Sequence, residues 1–182
     1  GAGYTHDGQI TPVDAASETD ATHADVRWAV TIGAVCNNAE VELGTADEPP
    51  RITGDPTEAA LLIAARIHGY DGHTHDPGTI EHENTFDSER KTMSVVVERP
   101  DGVRILLVKG APEMLLSRCT AELRAGSVQP LAASRRDEII AVNADLASRA
   151  LRVLALAYRI DLPQPRSVQQ EQDLIFAGLA GM

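Results

Sequence analysis

Two β-rich runs, residues 92–98 and 103–109, flank Arg99-Pro100-Asp101-Gly102. This segment constrains the fold more than any other. Proline presets the first turn position and glycine accepts a left-handed one, so the runs should form an antiparallel hairpin. A type I turn with a glycine bulge pairs Arg99 with Val103. It then sets Lys109 opposite Met93, with Lys91 one step along on the same face. A tight two-residue turn would put the two lysines on opposite faces, because a one-residue slip flips every side chain. The bulge is favoured, since Gly102 stands where such a turn wants a left-handed residue.

The remaining elements fit around that hairpin. Asp20 or Thr22 opens a helical pattern that ends near Cys36-Asn37. Residues 40–53 read as a polar connection. Gly54-Asp55-Pro56-Thr57-Glu58 is a strong helix start, with Asp55 as cap, Pro56 at the first position and Glu58 three residues after the cap. That helix stops near Gly69, and a His- and Gly-rich loop follows at 68–82. Pro112-Glu113 starts a further helix, and residues 120–132 suggest a short hairpin around Arg124-Ala125-Gly126-Ser127. Ser134 is expected to cap a helix running to about Ser148. A strand over 151–160, a linker over 163–172 and a strand over 174–180 complete the chain. The mixture implies an α+β fold, a mostly antiparallel sheet flanked by helices, in one domain over 1–182.

Charge narrows the partners. The formal net charge of −11 disfavours nucleic acid and anionic lipid, which demand clustered cations. No apolar run approaches the ~20 residues of a membrane helix. The chain is therefore expected to be soluble, without direct membrane contact. Cys36 and Cys119 have no metal-site spacing and read as buried, reduced thiols.

Lysine is rare here. Only Lys91 and Lys109 are lysines among sixteen basic residues, the rest being arginine. A compact ammonium suits a phosphate or a ring edge as a point charge. Phe86, one of two phenylalanines, precedes the hairpin. An aromatic beside two cations can hold a nucleotide, with the ring on the base and the charges on the phosphates. The competing reading makes Phe86 a core residue and the lysines solvated strand ends.

Phe86-Asp87-Ser88-Glu89-Arg90-Lys91-Thr92-Met93-Ser94 and Lys109-Gly110-Ala111-Pro112-Glu113 resemble the adenine-pocket segments of the nucleotide-binding (N) domain of P-type cation-transporting ATPases. Gly54-Asp55-Pro56-Thr57-Glu58-Ala59-Ala60-Leu61 resembles that family's segment bearing an adenine-contacting glutamate. Leu151-Arg152-Val153-Leu154-Ala155-Leu156-Ala157 resembles its phosphate-contacting arginine segment, and Cys36-Asn37-Asn38-Ala39 also fits. The calcium-pump-like (type II) branch fits best. The resemblance implies that Phe86 stacks on adenine, Glu58 accepts from its amino group and Lys109 lies deep in the adenine pocket beside Gly110. It implies further that Met93 lines the apolar wall, while Lys91 and Arg152 serve the phosphates. Some members carry arginine where Ser88 stands, so phosphate contacts here are expected to be weaker.

The resemblance also implies an N domain excised from a larger pump, part of an ATP-driven cation translocase. Such a domain would be the cytoplasmic part of an integral protein of the plasma or inner membrane. It would bind ATP, with Mg²⁺ acting in the full-length pump, and work with phosphorylation and actuator domains of the same chain. No Asp-Lys-Thr-Gly-Thr segment supplies a phosphorylated aspartate, and no GxxxxGK[ST] occurs. The fragment is thus expected to bind ATP without hydrolysing it and to hold no catalytic residue.

Each role has a structural competitor. Glu58 also suits a capping box, Arg152 a strand-face charge and Met93 the core. Pro112 and Glu113 suit the turn into their helix. Two other functions compete: a regulatory module with weak or no nucleotide binding, and a metal site built from His68, His73, His75 and His82 with Asp71 and Asp76. The flexible loop gives that metal site poor preorganisation, so no metal is expected.

Overall fold

In the computed structural model, which describes residues 20–42, 51–70, 77–162 and 171–182, the expected hairpin lies at the heart of the sheet. Strands β4 (Thr92–Glu98) and β5 (Arg104–Gly110) follow α1 (Asp20–Val35), β1 (Glu40–Glu42), β2 (Arg51–Thr53), α2 (Pro56–Ile67) and β3 (Thr79–Asp87). After them come α3 (Pro112–Ser117), β6 (Cys119–Arg124), β7 (Ser127–Pro130), α4 (Ala133–Ser148), β8 (Val153–Ile160) and β9 (Leu174–Gly181). Among the described residues seven strands form one sheet in the order β3-β4-β5-β8-β9-β6-β7, and in it only the β6–β9 pair is parallel. The α+β expectation with a mostly antiparallel sheet is met.

The turn chose the bulged register. The Gly102 amide donates to Arg99 O at 2.9 Å, the Arg99 amide donates to Val103 O at 2.9 Å, and Gly102 has φ 81°. Met93 therefore pairs with Lys109. Strand alternation then sorts the side chains. Met93, Val95, Val97, Ile105 and Leu107 join Ile32, Val35 and Cys36 of the α1 segment in one cluster. Val96, Leu106 and Val108 pack on the other side with Leu115, Leu116 and Ile139 of α3 and α4. Both faces of the hairpin are buried, which explains its nearly unbroken apolar sequence.

Helix α2 packs on α1, where Gly33 lets Leu61 Cβ approach. Asp55 caps α2 as expected, accepting from the Thr57 and Glu58 amides at 2.8 and 3.3 Å. The Thr57 side chain first, and then those two amides, hold the Asp55 carboxyl below its ordinary pKa. Cys36 and Cys119 are buried free thiols, and burial pushes both up to about 12.

Four expectations need correction. Residues 40–42 and 51–53 are not plain connection but pair as a small separate sheet, β1–β2. Val41 is its single fully buried side chain, too little to show a period. The loop expected to reach residue 82 gives way at Thr79 to β3, an exposed edge strand with two register irregularities. Its polar surface hid it, because backbone pairing with β4 rather than apolar burial holds it. Ala132, not Ser134, occupies the α4 N-cap, and no side chain caps that helix. Residues 171 and 172 were assigned to a linker, yet Glu171 is almost wholly buried. Residues 163–170 of that linker, and the N-terminal segment to residue 19, lie outside the described residues.

Candidate functional site

Alternation along β5 puts Lys109 on the same face as Ile105 and Leu107, at the end facing α2. There its Nζ donates to Glu58 Oε1 at 2.5 Å, and both side chains are largely buried. Glu58 does not close a capping box. Its second oxygen accepts from the Asn38 amide at 3.1 Å. The segment after α1 holds this arrangement: Asn37 Nδ2 donates to Gly33 O and Glu58 O, while Asn38 Nδ2 donates to Glu83 Oε1. The Cys36-Asn37-Asn38-Ala39 motif thus has a physical task. It ties α1, α2 and β3 together around the glutamate.

Met93, directly across the hairpin from Lys109, is 2% exposed. Its carbonyl accepts from Cys36 Sγ at 3.4 Å. It is a core residue of the cluster shared with α1. Gly110 is required by close approach: a Cβ there would strike the Lys91 carbonyl oxygen and lie 2.7 Å from Thr92 Cγ2. Pro112 occupies the start of α3, and its preceding amide, Ala111 N–H, donates to Lys91 O at 3.0 Å.

Lys91 itself is not in a strand. It has φ 53° and closes the turn after β3, its amide donating to Asp87 O at 2.6 Å. Asp87 Oδ1 accepts from the Arg90 and Glu89 amides, and these bonds, the Arg90 one foremost, lower its pKa. The expected shared face for the two lysines therefore fails. Strand alternation carries Lys109 toward α2 but ends at Thr92, one residue short of Lys91. Lys109 is buried and paired. Lys91 is exposed and forms no ion pair among the described residues.

Phe86, Ser88 and Lys91 border one side of a cleft of about 400 Å³. Ala111, Pro112, Arg152, Val153 and Leu154 form the other. Phe86 is 64% exposed, which removes the reading of it as core. Arg152 lies just before β8, its backbone paired with Met182 in both directions, and its charge is felt by Asp55 at the α2 cap. An exposed aromatic, two cations and an apolar floor of suitable volume make a site for a flat, anionic ligand. Glu58 and Lys109 are not among the residues lining this cleft.

A second cleft of about 290 Å³ lies between α1 and the far end of the hairpin, lined by Trp28, Val97, Ile105 and Leu107 together with Arg27 and Arg99, among others. It contains neither lysine. Trp28 stacks on Tyr158 with ring centroids 3.9 Å apart, and burial raises the Tyr158 hydroxyl to about 12.

Sequence reasoning missed Glu171. Its carboxylate accepts from Arg90 and Arg118 at 2.6 and 2.7 Å, and from Ser94 and Thr92 at 2.8 and 3.0 Å. Only Ser94 and Thr92, polar residues inside a buried strand, hinted at a polar partner. Of the histidine cluster, His73, His75, Asp71 and Asp76 lie outside the described residues. Among the described residues no group of three or more His, Cys, Asp or Glu is placed to hold a metal. Among them, too, no helix is long and apolar enough to cross a membrane.

The profile of the family described as "P-type ATPase, cytoplasmic domain N" matches residues 25–182. The chain is 37% identical over 185 aligned residues to a calcium-transporting ATPase of Bacillus subtilis (strain 168), covering 100% of this chain and 20% of that protein. It is 33% identical to calcium-transporting ATPase 1 of Lactococcus lactis, over 90% of this chain and 18% of the relative. It is 34% identical to the human calcium-transporting ATPase type 2C member 1, over 100% and 18% respectively. The chain thus spans about a fifth of the length of the curated relatives it matches.

Proposed function

The chain belongs to the P-type ATPase cytoplasmic domain N family, and from that premise we propose that it binds ATP by the adenine ring and presents the γ-phosphate to a phosphorylation domain of the same protein. The observation that carries this reading is the cleft that joins exposed Phe86 to Lys91 and Arg152. An aromatic face 64% open to water has no packing reason to be there, and it offers a stacking platform for the base. Lys91 and Arg152 supply charge for the phosphates. We assign Lys109 and Glu58 the roles of donor and acceptor for the edge of the base, Gly110 that of letting the strands approach, and Met93 that of apolar packing across the hairpin from Lys109.

The chemistry done by these residues is positioning and electrostatics. Phosphoryl transfer needs an acceptor and charge compensation at the γ-phosphate. We assign both to the partner phosphorylation domain, where Mg²⁺ would act. The whole protein is then an ATP-driven cation pump of the calcium-transporting type in the plasma or inner membrane, with this domain on the cytoplasmic side. An actuator domain would be the remaining partner within the chain.

Calorimetry with ATP tests the reading. Binding tighter than about 5 mM, abolished or strongly weakened by Phe86→Ala, supports it; no heat at that concentration overturns it. It also separates the regulatory alternative, for which Ser88 in the cleft is the motivating residue. Sustained phosphate release by the pure chain, lost in Lys109→Ala, would contradict the assignment of the chemistry to a partner domain.

A further inference from the structure

The carboxylate of Glu171 is 1% exposed and accepts four hydrogen bonds, two at each oxygen. Its partners come from three places: Arg90 in the turn after β3, Thr92 and Ser94 on β4, and Arg118 at the end of α3. A buried carboxylate is retained only when its charge and lone pairs are met, and here all are. The arrangement reaches the nucleotide cleft. Arg90 Nη1 bonds Glu171 Oε1 at 2.6 Å while its Nη2 bonds the Thr85 carbonyl at 2.7 Å, next to Phe86 in sequence. Arg118 bonds Glu171 Oε2 and also the carbonyl of Arg90, next to Lys91. The two guanidiniums thus grip both ends of the turn whose side chains, Phe86, Ser88 and Lys91, border the cleft.

We propose that Glu171 is a positioning residue for nucleotide binding: through Arg90 and Arg118 it fixes Phe86 and Lys91 relative to one another. The inference rests on the nucleotide reading above for its function, but not for its mechanical part. The turn needs such a clamp. Lys91 holds a left-handed conformation without being glycine, and the edge-strand register is irregular between Asn84 and Asp87. A conformation of that kind persists only when its surroundings over-determine it. The sheet alone does not do so, because among the described residues β3 pairs with β4 on one side and with no strand on the other. Glu171 reaches the turn from the far end of the sequence, at the start of the final strand segment.

The test combines amide exchange with nucleotide affinity. In Glu171→Gln, exchange at the Lys91 and Ala111 amides should accelerate at least about tenfold, while amides in the middle of β5 and β8 keep their protection. Unchanged exchange at Lys91 overturns the inference whether or not ATP binds, and absence of ATP binding in the wild type overturns only the nucleotide reading. ATP affinity should fall about tenfold in Glu171→Gln, but less than about twofold when the same change is made in a Lys91→Ala background. An equal loss in both backgrounds would show that Glu171 does not act through Lys91. Arg90→Ala guards against a variant that fails to fold. It cuts the link to the turn and leaves the Glu171 contacts with Arg118, Thr92 and Ser94. The same exchange and affinity changes are expected there, and wild-type behaviour in both would reduce Glu171 to an anchor for its own segment.

Discussion

Lys109 Nζ stands 2.5 Å from Glu58 Oε1, across 51 residues of sequence. The side chains are 7% and 17% exposed, so neither charge can turn to bulk water if the other is removed. Lys109→Ala or Glu58→Ala should each destabilise the domain by about 3 kcal/mol, because each strands an ion in a low-dielectric site. The double variant should cost clearly less than the sum. Urea unfolding of the cycle measures this, and additive losses would mean that the pair does not interact.

Phe86 should behave in the opposite way. Its ring is exposed, so Phe86→Ala should change stability by no more than about 0.5 kcal/mol. The same change should cost about 1–3 kcal/mol of ATP binding through lost stacking. Thermal melts and calorimetry on one preparation separate the two effects. A large drop in melting temperature would return Phe86 to a structural role.

Lys91 and Lys109 should separate by ligand. Lys91 is exposed at the border of the cleft, where the proposed function sets the phosphates, so Lys91→Ala should lower the preference for ATP over adenosine about tenfold and leave adenosine binding nearly intact. Lys109→Ala should weaken both ligands. Competition titrations with adenosine and ATP check this, and equal effects on adenosine would remove the division of labour.

Gly110→Ala should be among the most damaging small substitutions. The added methyl meets the backbone carbonyl of Lys91 and the short, β-branched Thr92, neither of which is the tip of a flexible side chain. The expected loss is about 2 kcal/mol or more, read from the urea midpoint. Gly102→Ala, with open space around it and φ 81°, should cost about 1 kcal/mol from strain alone.

The Asp55 cap gives a pH signature. Hydrogen bonds from Thr57 and Glu58 lower its pKa in the folded state below the unfolded value. A depressed carboxyl stabilises the fold above its unfolded pKa, about 3.9, and loses that contribution as pH falls through the lower folded value. Asp55→Ala should therefore cost about 1 kcal/mol at pH 7 and progressively less in acid. Asp55→Asn should keep most of the cap and lose the pH dependence. Denaturation curves at a series of pH values decide this, and a gap between wild type and Asp55→Ala that stays constant into acid would show that the carboxylate is not what caps α2.

The sequence by itself determined the elements whose signals are local. Pro100-Asp101-Gly102 set the hairpin register, because turn chemistry acts over four or five residues. Asp55-Pro56 set the start of α2 for the same reason. The burial of Cys36 and Cys119 followed from their chemistry and spacing. The motifs around Phe86, Lys109, Glu58 and Arg152 carry the family on their own. The tertiary structure alone decided what each charge meets. Glu58 looked like a capping residue but turned to Lys109 and Asn38. Lys91 left the strand for a left-handed turn and so parted from Lys109. Glu171 passed for linker and proved to be a buried carboxylate that accepts four hydrogen bonds. A charge in sequence carries no record of its partner. That is fixed when the sheet brings distant segments together, because a charge excluded from water must find its counter-charge wherever the fold places one.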